Sequence, residues 1–404
     1  MEICKYPCKR KALHSVWVMF WLMISGAQSQ AQTSPISLFQ DSSFYNRMQE
    51  SGALAAHWLS DKFQEDGLFA YEYFPWTNVF SPHQNDIRQL MSARTLAVIA
   101  CNDSTLEEIH QKNIDAVLTK WYRKEGKVGA IVWEGASKLG ANAMAMRALI
   151  ASPFRLNYLK ELAALHAAII SVQQENGQLQ PWIYKPDFRY SEELLMSFYA
   201  GEAILALTEY ALFAGDEAIW RQAELSATFY REYYLNRLGT EFMPPCVPWF
   251  SMAFKNMYAY TQDSLYAKAI FQLTDQLLIL QEKDSTSGEL KGSFRHPDSH
   301  SASDAVYAEG LVAAAGLALE QQELERADYY LNSLKQVSTY LLSLQITSQT
   351  AESYPDPRRS LGGIAVSPRD SRQRIDQVQH WLDAIYALMM MKGVGGESAN
   401  KFQN

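Results

Sequence analysis

Gly67–Cys101 reads GLFAYEYFPWTNVFSPHQNDIRQLMSARTLAVIAC. Its first half is an aromatic, turn-rich loop carrying Tyr71, Glu72, Tyr73, Phe74, Pro75 and Trp76. The second half is a helix beginning near Asn85, with Asn85, Asp86, Arg88 and Gln89 in its first turns. Ala93, Leu96, Ala97 and Ala100 then recur at i, i+3, i+4 and i+7, the spacing of one buried helical face. Polar chemistry thus sits at the N-terminal end of the helix, with small packing residues behind it.

Working outward, the same unit repeats. Small-residue helices begin near Asn85, Gly140, Glu192, Pro248, Ala302 and Ile375, mostly 52 to 56 residues apart, with a last step of 73. Periods of this size indicate a repeat architecture, and they exceed the roughly 33–34 residues of tetratricopeptide and ankyrin arrays. Longer, more charged helices alternate with them over 48–65, 104–124, 155–174, 215–237, 262–283 and 321–346. Gln64, Gln174, Gln281 and Gln345 mark the ends of four of these, and Asp66-Gly67 and Asn176-Gly177 follow the first two. Small residues permit close helix approach in a crowded interior. The alternation therefore predicts two concentric layers, charged helices outside and Ala/Gly/Ser-rich helices inside. Period-two alternation is confined to scraps such as Ile131–Trp133 and Phe69–Tyr73, so the fold class is all-α.

Six hairpins with layered polarity resemble the (α/α)6-toroid proteins of the six-hairpin glycosidase-like group, which includes uronate lyases and the helical domain of glucuronyl C5-epimerases. The resemblance covers residues 46–392 and rests on hairpin number, layering and aromatic loops. It implies a ligand cleft where the loops entering the inner helices converge. The flanking segments are read as a leader at 1–31, a linker at 32–45 and a polar, frayed tail at 393–404.

The chain has 404 residues, 48% of them hydrophobic and 12% aromatic, enough for a large core. Its net charge is −8; residues 1–31 carry +3, leaving −11 for the remainder. No Lys-rich run occurs, so nucleic acid is not an expected partner. Basic residues, an apolar run from Val16 to Ile24 and the small pair Ser29/Ala31 form the pattern of an export signal cleaved before Gln32. No other segment is read as spanning a membrane, so a periplasmic or secreted protein is expected. Cys101 closes a helix and Cys246 precedes one, which places them on opposite faces and predicts no bridge between them.

Mouth loops are expected at 67–84, 125–139, 175–191, 238–247, 284–301 and 347–374. Trp76, Trp133, Trp182 and Trp249 lie in or beside four of them, with Phe294 and Tyr354 in the other two. Flat amphipathic rings stack on the C–H faces of sugars. The mouth carboxylates are Glu72, Asp86, Glu134, Glu192, Glu202, Glu309 and Asp376. Glu202 follows Gly201 and Glu309 precedes Gly310, well inside inner helices, where a carboxylate is costly unless paired or functional. Asp376, Gln379 and His380 share one helical face. Arg358, Arg359, Arg369, Arg372 and Arg374 cluster in the last loop, with Arg189 and Arg295 nearby, which suggests an anionic ligand.

The leading expectation is hydrolysis of an acidic oligo- or polysaccharide. Glu72 or Glu134 would be the acid and Asp86 or Asp376 the base or nucleophile, facing each other about 5–9.5 Å apart. Tyr73, Trp76, Arg88, Trp133, Asn142, Trp182, Tyr184, Trp249, Tyr307, Glu309 and Arg374 would bind the substrate. A second reading is proton abstraction at C5 of a uronate. His380, Tyr73, Tyr184 or Tyr307 would be the base, and Asn142 or an arginine of the last loop would neutralise the carboxylate. A third is a glycan-binding protein without turnover. Neither cofactor nor metal is expected: GxxxxGK, GxGxxG, GxSxG and HExxH are missing, and Pro297 separates His296 from His300.

Overall fold

Helices rich in Ala and Gly bury every side, whereas charged helices bury one stripe. Leu139–Ala151 buries all of its residues but Ile150. Glu107–Trp121 buries only His110, Asn113, Ile114 and Val117, a single i, i+3, i+4, i+7 face. A computed structural model describes residues 41–401 except 102, 284 and 296–299. The export-signal reading, most of the expected linker and His296 fall outside the described residues.

The outer helices are α1 (Ser42–Asp61), α3 (Glu107–Trp121), α5 (Leu159–Ser171), α7 (Glu217–Leu235), α9 (Ser264–Leu278) and α11 (Leu324–Leu344). The inner ones are α2 (Asp86–Ala100), α4 (Leu139–Ala151), α6 (Glu192–Ala214), α8 (Cys246–Thr261), α10 (Ser301–Glu320) and α12 (Ile375–Lys401). Each inner helix packs on the next around a circle, and α12 returns to α2. The ring is closed. α1 lies on α12, so the first outer helix seals the last inner one.

Three points differ from the sequence reading. α1 starts at Ser42, inside the expected linker, because Asp41 caps it by accepting from Phe44 N (2.9 Å) and because Phe44 and Tyr45 are buried. The backbone of α12 is helical to Lys401, past the expected boundary at 392. α10 is long and apolar enough to cross a membrane by composition, contrary to the expectation for the mature chain, yet 78% of that apolar window is buried inside the ring.

The turns after four outer helices share one device. Gly67, Gly177, Gly292 and Gly362 adopt φ of +84°, +91°, +95° and +88°. A Cβ at these sites would stand 2.2–2.3 Å from Ala116, Leu225, Gln336 and Leu54 of the adjacent outer helix. Glutamine amides reinforce the same seams: Gln173 donates to Gln222 O (2.8 Å), Gln281 to Ser333 O (2.9 Å) and Gln345 to Ser51 O (3.0 Å). Gly177→Ala and Gly292→Ala are each expected to lower unfolding free energy by about 2–4 kcal/mol, read by urea denaturation.

The described residues also hold eight strands, none longer than five residues. They organise the loops at one face of the ring. β1 (Glu72–Phe74) and β2 (Val79–Phe80) of the first loop join β7 (Ala365–Ser367) and β8 (Asp370–Arg374) of the last, in the order β2-β1-β8-β7. Glu72 pairs with Arg374 and Tyr73 with Gln373. β3 (Tyr122–Glu125) and β4 (Val128–Ile131) form a hairpin, and β5 (Ser137–Lys138) pairs with β6 (Trp182–Tyr184).

Candidate functional site

The mouth is a circuit of six contacts, one between each neighbouring pair of inner helices. Lys138, just before α4, donates to Asp86 Oδ1 at the start of α2 (2.6 Å). At Gly140 of α4, a Cβ would stand 2.3 Å from Glu202 Oε2 of α6 and 2.6 Å from the Tyr199 ring. At Gly201, a Cβ would stand 2.5 Å from Trp249 Cβ of α8; at Gly310 of α10, 2.7 Å from Pro248 Cα. His380 Nδ1 of α12 donates to Glu309 Oε1 of α10 (2.5 Å), and Arg88 Nε of α2 donates to Asp376 Oδ2 of α12 (2.6 Å). These groups lie in the opening turns of α2, α4, α8 and α12, and two to three turns into the longer α6 and α10. Three further ion pairs brace the ring beneath: Arg94–Asp383 (2.8 Å), Arg147–Glu209 (2.9 Å) and Lys255–Glu320 (2.9 Å).

Electrostatics separate the carboxylates into two kinds. Burial would raise the pKa of Asp376, but Arg88 and Arg374 outweigh it and hold the group well below the usual carboxylate range. Glu202 is only 2% exposed, and its Oε2 has no hydrogen-bond partner. Burial pushes its pKa up to about 8, against the opposing charges of Arg147 and Arg88, so it is a neutral acid at pH 7. Burial also raises Glu309, and His380 partly offsets this. His380 Nε2 has no hydrogen-bond partner among the described residues, and the imidazole meets the Trp249 ring edge-on at 5.9 Å. Trp249 Nε1 is itself buried without a partner. The Trp249 ring lies beside His380, and the residue's Cβ stands 2.5 Å from where a Cβ at Gly201 of α6 would fall.

No protein-family model and no curated protein matches the chain. Solved structures do. A D-mannose isomerase aligns with TM-score 0.64 at 13% identity, over 89% of this chain and 100% of its own. Cellobiose 2-epimerase from Bacillus thermoamylovorans aligns with TM-score 0.61 at 13% identity, over 85% and 99%. An unsaturated glucuronyl hydrolase specific for heparin aligns with TM-score 0.59 at 11% identity, over 86% and 98%. The fold is the (α/α)6 toroid that these structures share.

Within this toroid the residues singled out from sequence scatter over several roles. Asp86, Arg88, Trp249, Glu309, Arg374, Asp376 and His380 meet in the mouth circuit. Glu72 lies on β1, buried, 3.4 Å from Arg372 Nη1. Glu134 sits exposed in a tight turn at φ +50°, between Trp133 and Ala136, which bridge to each other. That places its carboxylate in water rather than in the circuit. Trp133 stacks on Trp121 of the outer layer (5.3 Å) and faces Lys138 (5.6 Å). Asn142 spends its side chain on structure, accepting from Ile131 N and donating to Ser137 Oγ and Lys138 O.

Trp182 is buried against Tyr190 and Phe188, Tyr184 is half-buried on β6, and Tyr307 packs on Phe294. Tyr73 donates to Asn78 Oδ1 (2.9 Å). Burial raises the pKa of both Tyr73 and Tyr307, which disfavours either phenol as a base. Trp76 is 63% exposed at the rim, braced by Tyr354 (4.7 Å). The last-loop arginines are less available than their number suggests: Arg372 is tied to Asp370 and Glu72, and Arg359 to Asp356. Lys138, Tyr199, Arg94 and Asp383 were not anticipated. Asp383 carried a usable signal, lying seven residues after Asp376 on the face that also bears His380.

Proposed function

We propose that the protein is a carbohydrate-active enzyme that transfers protons at a sugar carbon adjacent to a carbonyl or carboxylate. His380 Nε2 is the base, held by Glu309, and Glu202 is the acid that protonates the developing enolate oxygen. One observation carries this reading: an unpartnered buried carboxyl on α6 and an imidazole–carboxylate pair bridging α10 and α12 belong to one closed circuit of inner-helix contacts. A buried acid held neutral and an imidazole oriented by a carboxylate can act together as an acid–base pair. The named neighbours include both an isomerase and an epimerase, at identities that bear on fold alone.

Hydrolysis is the second reading, supported by the raised acid Glu202 and by the charge of Asp86 acting on it. It needs an ionised carboxylate able to receive water or sugar. Asp376 is held by two guanidiniums and Asp86 by Lys138, which weighs against it. Export is part of the proposal and rests on the leader pattern at 1–31.

Sugars incubated with the protein in D2O and followed by proton NMR separate the two. Proton transfer is expected to replace a single C–H by C–D next to the carbonyl or carboxylate, with no new reducing ends. New reducing ends without deuterium at carbon would overturn it in favour of hydrolysis.

A further inference from the structure

The proposed reaction leaves open which sugar enters, and Arg88 narrows the choice. Its Nε edge is locked: Nε donates to Asp376 Oδ2 (2.6 Å), and the guanidinium lies 5.8 Å from the centre of the Tyr71 ring. Arg374 approaches from the other side, donating Nε to Asp376 Oδ1 (2.9 Å) and Nη2 to Oδ2, and lies 5.7 Å from the same ring. Two guanidiniums share one ionised carboxylate, so the group carries a net charge of +1. Two neighbouring cations are spent, Lys138 on Asp86 and Arg372 on Asp370 and Glu72. Nη1 and Nη2 of Arg88, in contrast, have no hydrogen-bond partner among the described residues, and the side chain is 33% exposed. The charge of Arg88 also reaches Glu202 and Tyr199.

A guanidinium fixed along one edge and open at the other matches a planar carboxylate, which accepts two parallel N–H bonds. We propose that Arg88 reads the carboxylate of a uronate, making the substrate a sugar acid; this rests on the proton-transfer reading above. Pairing the carboxylate with the fork makes the adjacent C–H bond more acidic. His380 Nε2 takes that proton, and the bonding electrons move into the carboxylate as an enediolate. Glu202 gives its proton to the enediolate oxygen. Collapse returns the O–H proton to the Glu202 carboxylate while the His380 imidazolium gives a proton back to carbon, with no oxidant or co-reactant needed.

The test is calorimetric titration of the full chain with uronate disaccharides of the gluco, galacto and manno series, their neutral counterparts, and a 6-sulfated disaccharide. At least one uronate is expected to bind about tenfold or more tightly than its neutral counterpart. Arg88→Lys, which keeps the charge and loses the fork, is expected to lower uronate affinity about tenfold more than neutral-sugar affinity, erasing that preference. Equal binding of uronate and neutral sugar, or a preference that survives Arg88→Lys, overturns the assignment and leaves the carbohydrate reading standing. Preference for the sulfated sugar overturns the carboxylate as the group read. Failure of every sugar to bind overturns both.

Discussion

Glu202→Gln is expected to lower turnover by about a thousandfold while leaving the ring folded, because amide and neutral acid have the same shape and only the acid gives up a proton. The same substitution carries a second, opposite signature. A carboxyl raised from 4.5 to about 8 in the folded state is protonated in both states at low pH, so it costs nothing there. Between pH 4.5 and 8 the unfolded chain ionises and the folded one does not, so this group's contribution to stability falls across that window and levels off above 8. Relative to wild type, Glu202→Gln should therefore gain stability as pH rises from 4.5 to 8, by at most a few kcal/mol. Urea midpoints at pH 5 and pH 8 read this directly. A variant that is inactive but shows no pH-dependent gain would mean that the carboxyl is solvated or paired, contrary to its burial beside Gly140. Wild-type turnover should also fall above about pH 8, as the acid ionises.

His380→Gln is expected to cost a similar factor, about a thousandfold in kcat, with little change in KM. Glutamine can still donate to Glu309, so the buried carboxylate keeps a partner and the α10–α12 seam survives. What disappears is the Nε2 lone pair. His380→Ala should in addition destabilise, since it strands Glu309 at 5% exposure without the donor at 2.5 Å. Near-normal turnover by His380→Gln would remove the imidazole from the mechanism and return attention to a pair of carboxylates. The Glu309→Gln variant distinguishes orientation from charge: it keeps a side chain of the same shape beside Nδ1 but cannot stabilise an imidazolium.

The helical ring was legible because its cause is local. Ala and Gly alternating with Leu and Met in stretches such as 139–151 leave no charged stripe and read as an all-round buried helix, and charged stripes such as 107–121 read as an outer one. Glu202 and Glu309 were visible as costly carboxylates flanked by Gly201 and Gly310, the glycines that let neighbouring helices approach them. Which arginine neutralises which acid was not legible. Arg88 and Asp376 are 288 residues apart, and Arg372 and Glu72 are 300 apart, meeting only because the ring closes. Short-range composition therefore overstated the free positive charge of the last loop. It overstated Glu134 and Asn142 for a related reason: proximity to a mouth loop does not reveal that one carboxylate points to water or that one amide is spent on its own turn. The strands that knit the first and last loops are too short for their alternation to stand out, and they too depend on closure.

The most direct measurement is a crystal structure of the Glu202→Gln variant soaked with a uronate disaccharide. The expected result is a sugar ring inside the six-contact circuit, within hydrogen-bond reach of Gln at 202, His380 Nε2 and Trp249 Nε1. A sugar bound only at the outer layer or along the Trp76 rim, with the circuit closed to it, would contradict the assignment of the mouth as the reaction centre.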